Sequence, residues 1–263
     1  MIKKIAVLLM FCAGLIVFTG CGKKEAFNDD LTAIQQRGEL IVGVKTDTKP
    51  FGFYDEKGNL VGYDIDLAKC IAKALLGSEK RIKFVPVTPS NRIMKLDSKE
   101  VDILIATMSV TNQRKQVVNF STPYYVAGQA MLVRENSNVT SLKNLAGKSV
   151  IIVFGSTSEK NIRDNVPGVV ILGYKTYPEA FAALKAQKAD AMIADDTILW
   201  GYALSDKTVK LLPERYSQEP YAIAFRKSEE SEKLETKLDI IINTMISSRR
   251  LEKLQKKWGI FNP

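Results

Sequence analysis

The chain contains 263 residues, of which 46% are hydrophobic and 25% are charged, a composition that excludes a disordered tail and a coiled coil and allows one large domain or two ordinary ones. It contains no histidine, which excludes Ser/His/Asp and Cys/His catalysis, and the absence of CxxC and Walker motifs argues against a zinc ribbon and a nucleotide P-loop. The formal net charge is +9, but basic and acidic residues are mixed along the chain without a basic block, so no nucleic-acid partner is expected.

The first twenty residues have the layout of a secretory leader. Two lysines precede the uncharged run 5–18, which is too short to cross a bilayer comfortably and suits a signal peptide. The sequence around Cys21 resembles a bacterial lipobox, so residues 1–20 are predicted to be removed and the Cys21 thiol to be acylated. A plain signal peptide with an incidental cysteine is the alternative. Residues 21–30 are then a tether that holds a mature chain of net charge +7 on the extracytoplasmic face of the bacterial cell membrane.

Between residues 40 and 106, β-branched runs alternate with amphipathic segments. Strands are predicted over 40–44, 83–87 and 101–106, because short apolar runs are typical of buried strands. A helix is predicted to begin at Asp64, as its cap, and to end at Gly77, and a short helix is predicted over 91–96.

The same alternation resumes after Ser121-Thr122-Pro123. Strands are predicted over 149–154, 169–172 and 190–194, and helices from 141, from about 156, over 178–185 and over 197–204. Two amphipathic helices, over 234–246 and 251–258, complete the chain. Strands that alternate with helices in two halves predict an α/β fold of two lobes, each a mostly parallel sheet flanked by helices, with a ligand at the carboxyl ends of the strands.

Several short motifs occur in order along most of the chain. They are Pro50-Phe51-Gly52-Phe53, the segments 62–68, 106–114 and 120–125, Gly155-Ser156-Thr157, and the segment 189–195. Together they resemble the signatures of bacterial extracellular solute-binding proteins of family 3, the capture components of polar amino acid ABC importers, over about residues 38–259. The resemblance implies a two-lobed periplasmic-binding-protein fold of type II, an amino acid ligand in the interlobe cleft, an ABC permease as partner, no cofactor or metal, no enzymatic activity, and a monomer.

The resemblance also implies how the chain is divided. Residues 31–124 and 221–263 are predicted to form lobe 1, and residues 129–217 lobe 2. The segments 124–129 and 218–221 are predicted to be the two hinges, about which a bound amino acid closes the cleft.

The α-carboxylate of such a ligand is assigned to Arg114, whose guanidinium can donate two parallel hydrogen bonds. Thr111 is expected to cap the helix that Arg114 begins. Ser109 and Thr107 are expected to add polar groups nearby. Thr157 lies between a strand and a helix N-terminus, where it is expected to touch the ligand.

The α-ammonium is assigned to Asp195, which follows a predicted strand. The adjacent Asp196 is assigned to the helix cap, and the opposite distribution of the two roles stays open.

The ligand's side chain is harder to assign. Arg92 is expected to face a distal carboxylate, and Lys45 is a second cation at a strand end, so glutamate or aspartate is the first expectation and glutamine the second. Alternatively, Lys45 pairs with Asp47. Phe51 is expected to form a hydrophobic wall against the ligand.

Two other classes of function remain open. Some proteins that resemble this family are extracytoplasmic dehydratases, in which Asp196 or Glu159 would have to protonate a leaving hydroxyl. A ligand-sensing module is the third possibility.

Overall fold

The computed structural model describes residues 29–260. The predicted signal peptide, the lipidation of Cys21 and nearly all of the predicted tether lie outside these residues, as does the segment 261–263. Across 29–260, none of the helices combines the length and the apolar character needed to cross a bilayer.

The first part of the chain builds most of lobe 1. Its elements are α1 (Asp30–Arg37), β1 (Leu40–Val44), β2 (Asp47–Thr48), β3 (Gly52–Tyr54), β4 (Leu60–Val61), α2 (Tyr63–Leu76), β5 (Ile82–Pro86), α3 (Arg92–Asp97), β6 (Ile103–Ile105), a 3-10 turn (Arg114–Gln116) and β7 (Val118–Phe120).

The chain then crosses to lobe 2 and returns. The elements are β8 (Tyr125–Ala127), β9 (Gln129–Arg134), a 3-10 turn (Leu142–Leu145), β10 (Ser149–Val153), α4 (Ser158–Asn165), β11 (Val170–Tyr174), α5 (Tyr177–Lys185), β12 (Ala191–Asp195), α6 (Asp196–Ser205), β13 (Val209–Leu211), β14 (Glu219–Tyr221), β15 (Ala224–Arg226), a 3-10 turn (Glu229–Ser231), α7 (Glu232–Ser247) and α8 (Arg250–Lys257).

Each lobe contains one five-stranded sheet, which confirms the predicted two-lobed α/β architecture. The strand order is β5-β1-β6-β15-β7 in lobe 1 and β11-β10-β12-β9-β13 in lobe 2. Four of the five strands in each sheet run in the same direction, as predicted for mostly parallel sheets, and the one reversed strand, β15 or β9, makes the two antiparallel pairings of its sheet. The strands β15 and β9 follow the crossovers directly, without the helix that a parallel return requires, so they run against their neighbours.

The two ends of helix α2 show how far local sequence features determine the structure of lobe 1 beside the cleft. It ends at Gly77, whose φ of 79° is left-handed and whose N–H donates to the carbonyl of Lys73, as predicted. The predicted cap at Asp64 is wrong, since Gly62 occupies that position. The Asp64 carboxylate is buried instead and accepts the backbone N–H of Thr107 at 3.1 Å, because the helix start points at the loop that follows β6.

The two connections between the lobes lie side by side. Strands β8 and β14 pair antiparallel, with Tyr125 opposite Tyr221. The ring of Phe51 makes edge contacts with both of these tyrosines, at centroid distances of 5.5 Å. Both crossovers are therefore packed against the core of lobe 1, and their role as hinges stays a prediction.

The cleft between the lobes is closed. On one flank, Gly155 of lobe 2 lies so close to lobe 1 that a Cβ there would be 2.6 Å from the carbonyl oxygen of Pro89. On the other flank, a Cβ at Gly201 of lobe 2 would be 2.4 Å from the carbonyl oxygen of Lys49. Backbone meets backbone at both places, which only glycine permits.

Candidate functional site

The predicted ligand-binding residues lie where the two sheets face each other. In lobe 1, Lys45 follows β1, and Thr107 and Ser109 follow β6; in lobe 2, Thr157 precedes α4 and Asp195 ends β12. The parallel strands that carry these residues end at the same edge of each sheet. All of these residues except Thr157 are buried in the closed cleft.

Arg114 joins the two lobes. One of its terminal nitrogens donates to the backbone oxygen of Ser109 at 2.8 Å, and the other donates to the backbone oxygen of Gly155 in lobe 2 at 2.9 Å. The Thr111 hydroxyl accepts the Arg114 N–H at 3.1 Å, but the expectation that Thr111 caps a helix is wrong, because Arg114 begins only a short 3-10 turn whose N-cap is Gln113. Burial lowers the pKa of the guanidinium, and the charge of Asp195 opposes this effect.

The backbone at Thr107 is held in an unusual conformation. Its φ is 46°, in the left-handed region, which costs a residue with a side chain about 1–2 kcal/mol. The Asp64 carboxylate holds its N–H, and Arg92 donates to the carbonyls of Ala106 at 2.8 Å and Thr107 at 3.4 Å. Three buried polar contacts thus fix the loop that carries Thr107 and Ser109.

Arg92 is 2% exposed and retains a free donor. Its Nε has no hydrogen-bond partner within the described part of the chain, even though burial makes an unpaired donor costly. Burial and the nearby charge of Arg114 lower its pKa to about 9, so the side chain stays charged at neutral pH.

Lys45 is fully buried, and its charge is already compensated. Its ammonium lies 2.8 Å from the Asp47 carboxylate and 3.4 Å from the backbone oxygen of Val87. It also lies over the ring of Tyr177 from lobe 2, 5.4 Å from the centroid. Burial lowers the pKa of Lys45, and Asp47 opposes that shift. The alternative pairing with Asp47 is the one that the structure contains.

The two adjacent aspartates at the end of β12 have different surroundings. Asp195 accepts the amide of Gln129 at 2.5 Å and the hydroxyl of Tyr221. Burial, followed by the charge of Glu219, raises its pKa to about 7. Asp196 accepts the Thr197 N–H at 2.7 Å and pairs with Arg215 at 2.8 Å. The prediction that Asp196 caps the helix is wrong, because Asp195 occupies the N-cap position of α6 and Asp196 is the first helical residue. Binding of the ligand's ammonium by Asp195 stays a prediction.

Thr157 and Phe51 differ in how near they lie to the cleft. The Thr157 hydroxyl lies 2.9 Å from Glu219 Oε2 and 3.3 Å from Gln129 Nε2. Phe51 lies in the core of lobe 1, fully buried behind Tyr221. Contact of either residue with the ligand stays a prediction.

Sequence reasoning missed four buried residues around the site, namely Gln129, Tyr177, Glu219 and Tyr221. Three of them belong to the crossovers or border on them, where the sequence indicated only a mechanical role. Tyr177 begins α5 shortly after β11, and its position among strand ends was the one available signal.

Known proteins resemble this chain over nearly its full length. A sequence model of the family described as bacterial extracellular solute-binding proteins, family 3, matches residues 40–261. The chain is 39% identical over 260 residues to the ABC transporter glutamine-binding protein GlnH of Bacillus subtilis (strain 168), a match that covers 98% of this chain and 94% of the relative. It is 44% identical over 205 residues to a glutamine-binding protein of Geobacillus stearothermophilus, with coverages of 77% and 78%. The solved structure of an ancestral arginine-binding protein bound to glutamine matches with a TM-score of 0.79 and 38% identity, over 86% of this chain and 99% of that one.

Proposed function

The chain belongs to the bacterial extracellular solute-binding proteins of family 3, and from that premise we propose that it captures a polar amino acid, glutamine first, in its interlobe cleft and delivers it to an ABC permease. The observation that carries this proposal is the placement of a buried arginine and a buried aspartate, Arg114 and Asp195, in the closed cleft between the lobes. The relatives described above support it by their names, since two are glutamine-binding proteins.

The two residues match the two charges that every free amino acid carries. Arg114 has planar paired donors for the α-carboxylate. Asp195 keeps acceptor capacity for the α-ammonium, because each of its oxygens accepts one bond and a carboxylate can accept about four. The Ser109 carbonyl holds the Arg114 guanidinium in place, and Thr157 lies beside Gln129, which donates to Asp195.

The charges around the cleft favour a ligand with a neutral side chain. Three buried cations are balanced by three carboxylates: Lys45, Arg92 and Arg114 against Asp47, Asp195 and Glu219. The neighbouring Asp196 is neutralised by Arg215. A zwitterionic glutamine leaves this balance unchanged, whereas glutamate would bring an additional negative charge into a desolvated site. The free Nε of Arg92 suits the carbonyl oxygen of a side-chain amide.

The same donor also supports the second candidate, an acidic amino acid. Arg92, like Arg114, donates only to backbone oxygens within residues 29–260 and has no carboxylate in contact, and a γ-carboxylate would supply one. The ion pair of Lys45 with Asp47 removes the second cation on which a preference for glutamate or aspartate was based. Glutamine therefore ranks above the acidic amino acids.

The contacts of Asp196 and Glu159, the two acids that a dehydratase would need as proton donors, also favour a binding role. Asp196 is paired with Arg215, and Glu159 is exposed and paired with Arg163 at 3.1 Å. Each of these carboxylates is thus engaged by a guanidinium, and neither is aimed at a leaving group in the cleft by a contact of the described residues. Acylation of Cys21 would keep the mature protein next to its permease at the outer face of the membrane.

Titration calorimetry tests the proposed function. The protein lacking residues 1–21 is unfolded and refolded to remove carried-over ligand, then titrated with glutamine, glutamate, aspartate and arginine. We expect glutamine to bind at least tenfold more tightly than glutamate, and Arg114→Ala and Asp195→Ala to abolish the binding. Exposed Lys57→Ala is the control and should bind as the wild type does. Tighter binding of glutamate would select the acidic ligand, and no binding of any amino acid would overturn the proposal.

A further inference from the structure

Glu219 is a buried carboxylate at the edge of the site. The proposed function gives it no role in binding the ligand. It lies on crossover strand β14, opposite Ala127 of β8, and is 3% exposed. Its Oε2 is 2.9 Å from the Thr157 hydroxyl, and its Oε1 accepts the Asn161 amide at 2.7 Å and the Ser217 hydroxyl at 2.9 Å. Donors from α4 and from the segment before β14 thus hold both of its oxygens.

These contacts fix the direction of the Thr157 hydroxyl. A carboxylate only accepts hydrogen bonds, so the hydroxyl proton of Thr157 points at Glu219. The amide of Gln129 also donates to the Thr157 oxygen, at 3.3 Å. A hydroxyl has one proton and two lone pairs. The lone pair that remains makes Thr157 an acceptor for an N–H of a ligand.

Glu219 also acts on Asp195 through its charge. The groups that face Asp195 come from several elements: Glu219 and Tyr221 of β14, Gln129 of β9, Tyr125 of β8, Tyr177 of α5, Asp196 of α6, Arg92 of α3, Arg114 of the 3-10 turn, and Tyr216 before β14. After burial, the charge of Glu219 is the largest influence that raises the pKa of Asp195. Two negative groups therefore lie at the end of the cleft where the ammonium is expected.

We propose that Glu219 is a positioning residue for the ligand's α-ammonium, which it serves by turning the Thr157 hydroxyl into an acceptor and by adding a second negative charge beside Asp195. This inference rests on the proposed function. An ammonium presents three N–H donors, and Asp195 and Thr157 then supply two of the acceptors that it needs once water is excluded. Glu219 already accepts three hydrogen bonds from the protein, so it acts on the ligand through Thr157 and through its charge.

The test compares two ligands that differ only in the ammonium: glutamine and its deaminated analogue, 4-carbamoylbutanoate. Glu219→Gln keeps the shape of the side chain and removes its charge. We expect this variant to bind glutamine about tenfold more weakly or worse, and to bind the analogue within about twofold of the wild type. The pH below which glutamine affinity declines should also move downward, because a like charge beside Asp195 has been removed.

Further variants separate positioning from folding. Thr157→Val, which lacks the hydroxyl, should weaken glutamine binding as Glu219→Gln does and leave binding of the analogue unchanged. Thr157→Ser keeps the hydroxyl and should bind glutamine as the wild type does. Glu56→Gln removes the same charge from an exposed position and should change neither affinity nor pH profile. Equal losses for both ligands in Glu219→Gln, or an unchanged affinity and pH profile, would overturn the inference. If the wild type binds no amino acid, the proposed function itself has failed.

Discussion

Replacing Gly201 with alanine separates cleft closure from ligand contact. Gly201 lies in α6 of lobe 2, and a Cβ there would be 2.4 Å from the backbone oxygen of Lys49 in lobe 1. This is roughly 1 Å shorter than an ordinary contact between non-bonded heavy atoms. Because the obstacle is backbone, rotation of a side chain cannot relieve it. The clash exists only when the lobes meet, so the substitution acts on the closed state.

The expected size of the effect follows from two opposing contributions. Overpacking costs about 1–3 kcal/mol, which corresponds to roughly 5- to 150-fold weaker ligand binding. In the open state the same alanine acts only within α6, where it is favoured over glycine by about 0.8–1.0 kcal/mol. The ligand-free protein should therefore unfold at a slightly higher temperature, while its affinity for glutamine falls.

The measurements are titration calorimetry and thermal unfolding with and without glutamine. Gly173→Ala is the matched control, since a Cβ there would be 2.2 Å from the ring of Phe154 within lobe 2. That ring is 49% exposed and can turn away, so affinity should stay unchanged. Wild-type affinity in Gly201→Ala would show that binding does not bring α6 onto Lys49. A lower unfolding temperature of the ligand-free variant would place the effect in folding and refute the argument.

Four further predictions concern charge and local backbone. The pKa of Asp195 is about 7 in the closed cleft without a ligand, and an ammonium needs the ionised form, so glutamine affinity should fall as pH decreases through 7 and approach about tenfold per pH unit below it; calorimetry at pH 5 to 8 measures this, and a flat profile would contradict it. The same raised pKa means that the stability contributed by protonated Asp195 is complete below about pH 4 and lost as pH rises through 7, so the difference in unfolding temperature between ligand-free wild type and Asp195→Asn should change over that window. Asp47→Asn leaves Lys45 without its partner and should shift the preference toward glutamate; an unchanged glutamine-to-glutamate ratio would show that Lys45 does not face the ligand's side chain. Gly77→Ala should cost about 1 kcal/mol of unfolding free energy, since the residue has a φ of 79° with no neighbour to clash, and urea unfolding should show no change in glutamine affinity.

Local patterns in the sequence determined most of the architecture. The alternation of apolar runs and amphipathic segments placed both sheets and nearly all of the long helices, because burial of an apolar face depends on the spacing of residues along one segment. The same patterns put Lys45 and Asp195 at strand ends and Arg114 on the loop that follows another strand, where a ligand of a doubly wound sheet binds. The motif resemblance then indicated the family, which the match over residues 40–261 confirms.

Tertiary structure alone decided which groups meet in the cleft. The donors and charges around Asp195 come from Gln129 and from Glu219 and Tyr221, which are far apart in sequence and meet only because the two crossover strands pair. The ion pair of Asp196 depends on where Arg215 lies, and the direction of the Thr157 hydroxyl depends on Glu219. The strength of a hydrogen bond or of a buried charge pair depends on distances of a few ångströms between segments that are remote in sequence. The periodicity of a single segment does not predict those distances.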